Sequence, residues 1–134
     1  MLSYSRDQQV MQERSDKTIL VVENDEATGE LLVLAIMQET PYQVKVISQA
    51  REAVSLAKSI VPDLLILDYY LSSMTGLQLY DHLHAMNELK HIPAILMSAS
   101  LECYTNEIQL RNVVGLSKPF ELDDLINVIE QALE

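Results

Sequence analysis

Thr18-Ile19-Leu20-Val21-Val22 runs unbroken into Glu23-Asn24-Asp25, and the pattern returns where Leu64-Leu65-Ile66-Leu67 runs into Asp68. Each run is continuously apolar rather than alternating, and the first is rich in β-branched residues. Both are too short for an ordinary helix. Such segments suit strands buried on both faces, as in the interior of a parallel sheet. A polar or acidic residue closes each one, so chemistry-bearing side chains collect at the carboxyl ends of the strands.

Working outward, helical periodicity follows each run. Leu31, Leu34, Ala35 and Gln38 recur at helical spacing from Ala27 to about Glu39, where Pro41 stops the pattern. Gln43 to Ile47 alternates like a strand, and Glu52 to Ser59 reads as a helix carrying Ala53, Leu56, Ala57 and Ile60, closed by Pro62. After Asp68, a loop ending at Met74-Thr75-Gly76 leads into a helix from Leu77 to about Met86. Pro93 opens a strand, Ala94 to Met97, that ends at Ser98; a helix from Glu102 to Leu110 and a strand from Val113 to Leu116 follow. Lys118-Pro119-Phe120 then precedes a last helix, Glu121 to Leu133. Strands alternating with helices imply an α/β fold with a mainly parallel sheet and helices on both faces. The units are too few for a closed eight-fold barrel. A doubly wound, flavodoxin-like five-stranded sheet of order 2-1-3-4-5 is the expected architecture.

The chain has 134 residues and a formal net charge of −11. At this length a single domain hides roughly 68% of the surface its unfolded form exposes, enough for a core without covalent staples. Residues 1–16 are polar and charged, read as a flexible arm before a domain over 17–134. Cys103 is the only cysteine, so no intramolecular disulfide can form, and the N-terminus lacks the apolar block of a secretory signal. A cytoplasmic location is expected. No apolar stretch approaches the ~20 residues a membrane span needs. The acidic surplus repels a phosphate backbone, so neither a membrane nor a nucleic acid is an expected partner.

In open α/β sheets, ligands sit beyond the carboxyl ends of the strands where strand order reverses, here between strands one and three. That rule gathers Glu23, Asn24 and Asp25 from strand one, Asp68 from strand three, Ser98 from strand four and Lys118 from strand five. Neighbouring carboxylates repel unless a cation neutralises them, and hard oxygen ligands favour Mg²⁺, which readily takes phosphate as a further ligand. The constellation suits metal-assisted phosphoryl transfer.

Ile19 to Glu26, Pro62 to Gly76 (with Asp68 inside it), Pro93 to Ala99 and Lys118-Pro119-Phe120 together resemble response regulator receiver domains, over about residues 17–134. The resemblance implies that Asp68 accepts a phosphoryl group from a sensor histidine kinase or phosphotransfer protein. It implies that Glu23, Asn24, Asp68 and the backbone carbonyl of Tyr70 hold Mg²⁺, that Lys118 pairs with the phosphoryl group before a cis proline, and that Ser98 turns toward a phosphoryl oxygen. The expected function is a stand-alone switch that signals by binding a downstream protein, and not an enzyme acting on other molecules. Dimerisation through the fourth and fifth helices and fifth strand is common among receivers, though no residue compels it.

Three positions depart from the pattern. Asn24 stands where receivers usually have aspartate, Gly115 where many have a rotating aromatic ring, and Ser72 where a loop proline is usual. A degenerate receiver that docks partners without phosphorylation is therefore the alternative. An FMN-binding protein is disfavoured because Glu23-Asn24-Asp25-Glu26 has the wrong charge for a phosphate loop.

Each site residue also has a bland role. Asp68 suits a turn, Asp25 or Thr28 a helix cap, Lys118 a solvated loop and Ser98 a local hydrogen bond. A one-residue shift would put Asp25 in the pocket, against strand alternation. His82 and His84 point about 200° apart on a helix and cannot share a metal, so a surface role is expected. Tyr69, Tyr70 and Tyr80 are read as surrounding the Asp68 loop, where exposed rings could anchor a partner. Tyr104 is read as shaping the fourth helix.

Overall fold

A computed structural model describes residues 15–134. The expected arm lies outside the described residues except for Ser15 and Asp16, and the Ser15 N–H donates to Pro41 O at 3.0 Å.

Five strands, β1 (Thr18–Val22), β2 (Gln43–Ile47), β3 (Leu64–Asp68), β4 (Ala94–Ser98) and β5 (Val113–Ser117), form one parallel sheet in the order 2-1-3-4-5. Five helices connect and close it: α1 (Glu26–Glu39), α2 (Ala50–Ile60), α3 (Gly76–His84), α4 (Thr105–Gln109) and α5 (Leu122–Leu133). The central strands explain their continuous apolar runs. Leu20, Val22, Leu65, Leu67 and Leu96 point to one face, packing with Ala53, Ala57, Leu79 and Leu83 of α2 and α3. Ile19, Val21, Leu64, Ile66, Ile95 and Met97 point to the other, packing with Leu32, Ile36, Leu125 and Ile129 of α1 and α5. The edge strands β2 and β5 are only partly covered.

Local signals set the helix ends. The Asp25 carboxylate accepts from the Thr28 N–H at 3.1 Å and caps α1. Thr75 and Gln78 exchange backbone and side-chain hydrogen bonds in a capping box that opens α3. At the end of α2, Val61 adopts a left-handed conformation (φ 45°, ψ 74°), costly for a β-branched residue and worse before a proline. Val61→Gly is expected to raise stability by about 1 kcal/mol, net of glycine's entropy cost, seen as a higher urea midpoint.

Three expectations are corrected. The helix expected over Glu102 to Leu110 is a 3-10 turn, Leu101–Tyr104, followed by the five-residue α4. Cys103, Tyr104, Thr105 and Asn106 are weak helix formers, and no side chain caps either piece. The helix expected to reach Met86 stops at His84, with a separate 3-10 turn at Asn87–Leu89. Tyr80 and His84 are not loop or surface residues. Tyr80 is buried and its hydroxyl accepts from the Asn112 N–H at 2.9 Å. His84 stacks on Tyr80, its ring nitrogens 2.8 Å from Tyr80 O and 2.6 Å from Ile92 O. Both residues tie α3 to the segments before β4 and β5.

Candidate functional site

The parallel register brings the ends of β1, β3, β4 and β5 to one edge of the sheet, so residues distant in sequence become neighbours there. Glu23, Asp68 and Ser98 are each at least nine-tenths buried. Lys118 Nζ donates to Asp68 Oδ1 at 2.9 Å and to Glu23 Oε1 at 3.4 Å. Glu23 Oε2 accepts from the Asp25 N–H at 3.2 Å. Among the described residues none donates to Asp68 Oδ2, an oxygen that is not fully buried.

The loop that carries Lys118 is fixed by its backbone. The Lys118 N–H donates to Ser98 O at 2.9 Å, and the Lys118–Pro119 bond is cis, as the resemblance implies. Ser98 Oγ accepts from the Ser100 N–H at 2.9 Å, so the hydroxyl proton remains available to a further acceptor. On the β3 side, the Tyr69 N–H donates to Met97 O at 2.9 Å and Tyr69 O accepts from the Gly76 N–H at 2.7 Å. The backbone around Asp68 is therefore anchored to β4 and α3 together.

Three of the candidate residues are joined by direct hydrogen bonds. Glu23, Asp68 and Lys118 form one hydrogen-bonded set beside Ser98. Asn24 is exposed, and Tyr70 has an exposed ring with its backbone paired across the loop to Thr75. Asp25 is exposed and spent on the α1 cap, which removes it from the pocket.

Burial works against charge in this set. Desolvation, followed by the nearby Asp68 carboxylate, outweighs the Asp25 and Lys118 hydrogen bonds and raises the Glu23 pKa. Desolvation also opposes charge on Lys118, but the Asp68 and Glu23 carboxylates overcome it and raise that pKa. For Glu23 the sign is destabilising. Between the ordinary carboxylate range and the raised value, the native state holds a proton that the unfolded chain has released, so stability falls as pH rises through that window. Glu23→Gln is expected to flatten the fall of stability with rising pH across that window, seen as a smaller change in urea midpoint between its two ends. Urea unfolding at several pH values reads this directly.

The chemistry of the donor set fits Mg²⁺. Among the described residues no three acids, histidines or cysteines form a metal-holding group. Two carboxylates, one side-chain amide and a backbone carbonyl are all hard oxygen donors, and Mg²⁺ is commonly held by one or two carboxylates with water and phosphate completing its shell.

Tyr69, Tyr70 and Tyr104, read separately in the sequence, form one cluster. The Tyr69 ring stacks on Tyr104 (centroids 3.9 Å apart, 19° between planes) and meets Tyr70 edge-on at 4.9 Å. Tyr70 and Tyr104 Oη lie 3.2 Å apart, and this hydrogen bond, with desolvation and Tyr69, holds the Tyr104 hydroxyl well above the usual tyrosine range. A signal was present: in the 2-1-3-4-5 order, residues just after β3 and just after β4 must lie side by side.

A family model for the response regulator receiver domain matches residues 19–130. The transcriptional regulatory protein MalR of Bacillus subtilis is 30% identical over 106 residues, covering 78% of this chain, which spans 45% of that longer protein. The polar-differentiation response regulator DivK of Brucella anthropi is 28% identical over 120 residues, covering 87% of this chain and 96% of its own length. Among solved structures, the chemotaxis response regulator CheY4 of Vibrio cholerae superposes with a TM-score of 0.80 at 21% identity, over 89% of this chain and all of that one. Among the described residues no helix is long and apolar enough to cross a membrane.

Proposed function

This chain belongs to the response regulator receiver family, and from that premise we propose that it accepts a phosphoryl group on Asp68 and signals through phosphorylation-dependent protein binding. The observation that carries the reading is the buried pair of Glu23 and Asp68 hydrogen-bonded to Lys118, with no donor to Asp68 Oδ2 among the described residues.

In the proposed reaction an Asp68 oxygen attacks the phosphorus of a phosphohistidine on a kinase or phosphotransfer protein. The P–N bond breaks, its electrons return to the imidazole, which takes up a proton, and an acyl phosphate forms on Asp68. Lys118 stands where its ammonium can offset charge on the phosphoryl oxygens, and the Ser98 hydroxyl is free to donate to one of them. Mg²⁺, held by Glu23, Asn24, Asp68 and the Tyr70 backbone carbonyl, would supply further positive charge at those oxygens. The product adds up to about two negative charges to the pocket. That change in local charge is what would bias the surrounding loops toward a second arrangement.

The test is intact-mass analysis after incubation with acetyl phosphate. The wild type is expected to gain one phosphoryl group with Mg²⁺ and none with a chelator. A second reading, a scaffold that docks partners without phosphorylation, draws support from Asn24, an amide where receivers usually have a carboxylate. No mass gain at saturating Mg²⁺ would decide for the scaffold.

A further inference from the structure

At Gly115, β5 presents no side chain toward the segment after β4. The space over Gly115 is already taken. A Cβ there would meet the Leu101 side chain at 3.0 Å, which leaves no room for a large side chain unless Leu101 moves.

The tyrosine cluster spans the same gap from the other direction. Tyr69 and Tyr70 are the two residues after Asp68, and the Tyr69 backbone is bonded to both Met97 and Gly76. Tyr104 ends the 3-10 turn that starts at Leu101, just beyond Ser98 and Ser100. The three rings share one stack, one edge-on contact and one hydroxyl hydrogen bond. Tyr69, Tyr104 and Ile108 also pack on the core beneath α3, while the rest of the 101–109 segment has no fully buried residue. With so little buried surface of its own, that segment is held by these ring contacts, by Leu101 over Gly115 and by Arg111, which donates to Glu107 O at 2.6 Å and to the Asp81 carboxylate of α3, a condition under which local opening is cheap.

We propose that Tyr104 is a positioning residue that couples the Asp68 loop to residues 101–109, so that a change of state at Asp68 is transmitted through the stacked rings rather than through a side chain on β5. This inference rests on Asp68 being the phosphoacceptor only for its signalling consequence; the coupling itself exists in the unmodified protein.

Hydrogen exchange on the full chain tests both parts. In the unmodified protein, Tyr69→Ala is expected to speed exchange across residues 101–109 roughly fivefold, the size that fits loss of one aromatic pair. With beryllofluoride and Mg²⁺, the wild type is expected to change exchange at 69–76 and at 101–109. Tyr104→Ala is expected to keep the first response and lose the second, and Tyr104→Phe, which retains the ring, to recover it. Unchanged exchange at 101–109 in Tyr69→Ala overturns the coupling. So does a full 101–109 response in Tyr104→Ala, or a wild type whose response stops at 69–76. A wild type that does not respond to beryllofluoride at all overturns the phosphoacceptor reading instead, and the Tyr69→Ala result then decides the coupling alone.

Discussion

With Asp68 replaced by asparagine, the protein is expected to take up no phosphoryl group from acetyl phosphate under conditions that modify the wild type, a loss of the whole signal rather than a fraction of it. The amide oxygen can still accept the Lys118 hydrogen bond that Asp68 Oδ1 accepts at 2.9 Å, so the pocket keeps its shape. What disappears is the charged oxygen able to attack phosphorus. The substitution also removes one of two carboxylates that repel each other in a buried site, so the urea midpoint is expected to stay level or rise. Intact mass and urea unfolding on the same sample separate lost chemistry from lost structure. A phosphoryl group still gained by a folded Asp68→Asn would place the acceptor elsewhere.

Gly76→Ala is expected to be the most destabilising of the three glycine-to-alanine substitutions, by about 3 kcal/mol, read as a large drop in urea midpoint. A Cβ at residue 76 would stand 2.4 Å from Asp68 O and 2.9 Å from Leu96 Cδ1. The first obstacle is backbone at the end of a fully buried strand and cannot swing away as a side chain could. Backbone conformation is not the reason for glycine here, because no glycine in the described residues has a positive φ. The structure assigns it to close approach: α3 starts directly against the carbonyl of Asp68, with the Gly76 N–H bonded to Tyr69 O. Any side chain at 76 therefore pushes on the candidate phosphoacceptor. The same substitution should slow phosphoryl uptake in whatever protein remains folded.

The parts of this fold that were legible share one property, burial on both faces. β1, β3 and β4 could be read because each of their residues must be apolar whichever way it points, and a polar residue at the end then stands out. Glu23, Asp68 and Lys118 were found by that contrast together with the rule for strand order. What escaped reading depends on contacts across the chain. Tyr80 looks like an exposed anchor in the sequence, but its ring is buried and its hydroxyl serves the Asn112 backbone. His84 looks like a surface histidine but bridges two carbonyls. The fourth helix failed for a different reason. Its apolar spacing at Leu101, Tyr104 and Ile108 is helical enough, but weak intrinsic propensity leaves only a turn and a fragment.

The chain has one cysteine and no tryptophan, and Cys103 is exposed in the 3-10 turn beside Tyr104. A maleimide dye would therefore attach at a single native position, with no engineered thiol and no competing site. Tyrosine emission, half of whose sources are Tyr69, Tyr70 and Tyr104, is likewise free of indole background. The protein is equipped for spectroscopy as it stands, with its label site and its natural fluorophores both concentrated at the segment whose motion is in question.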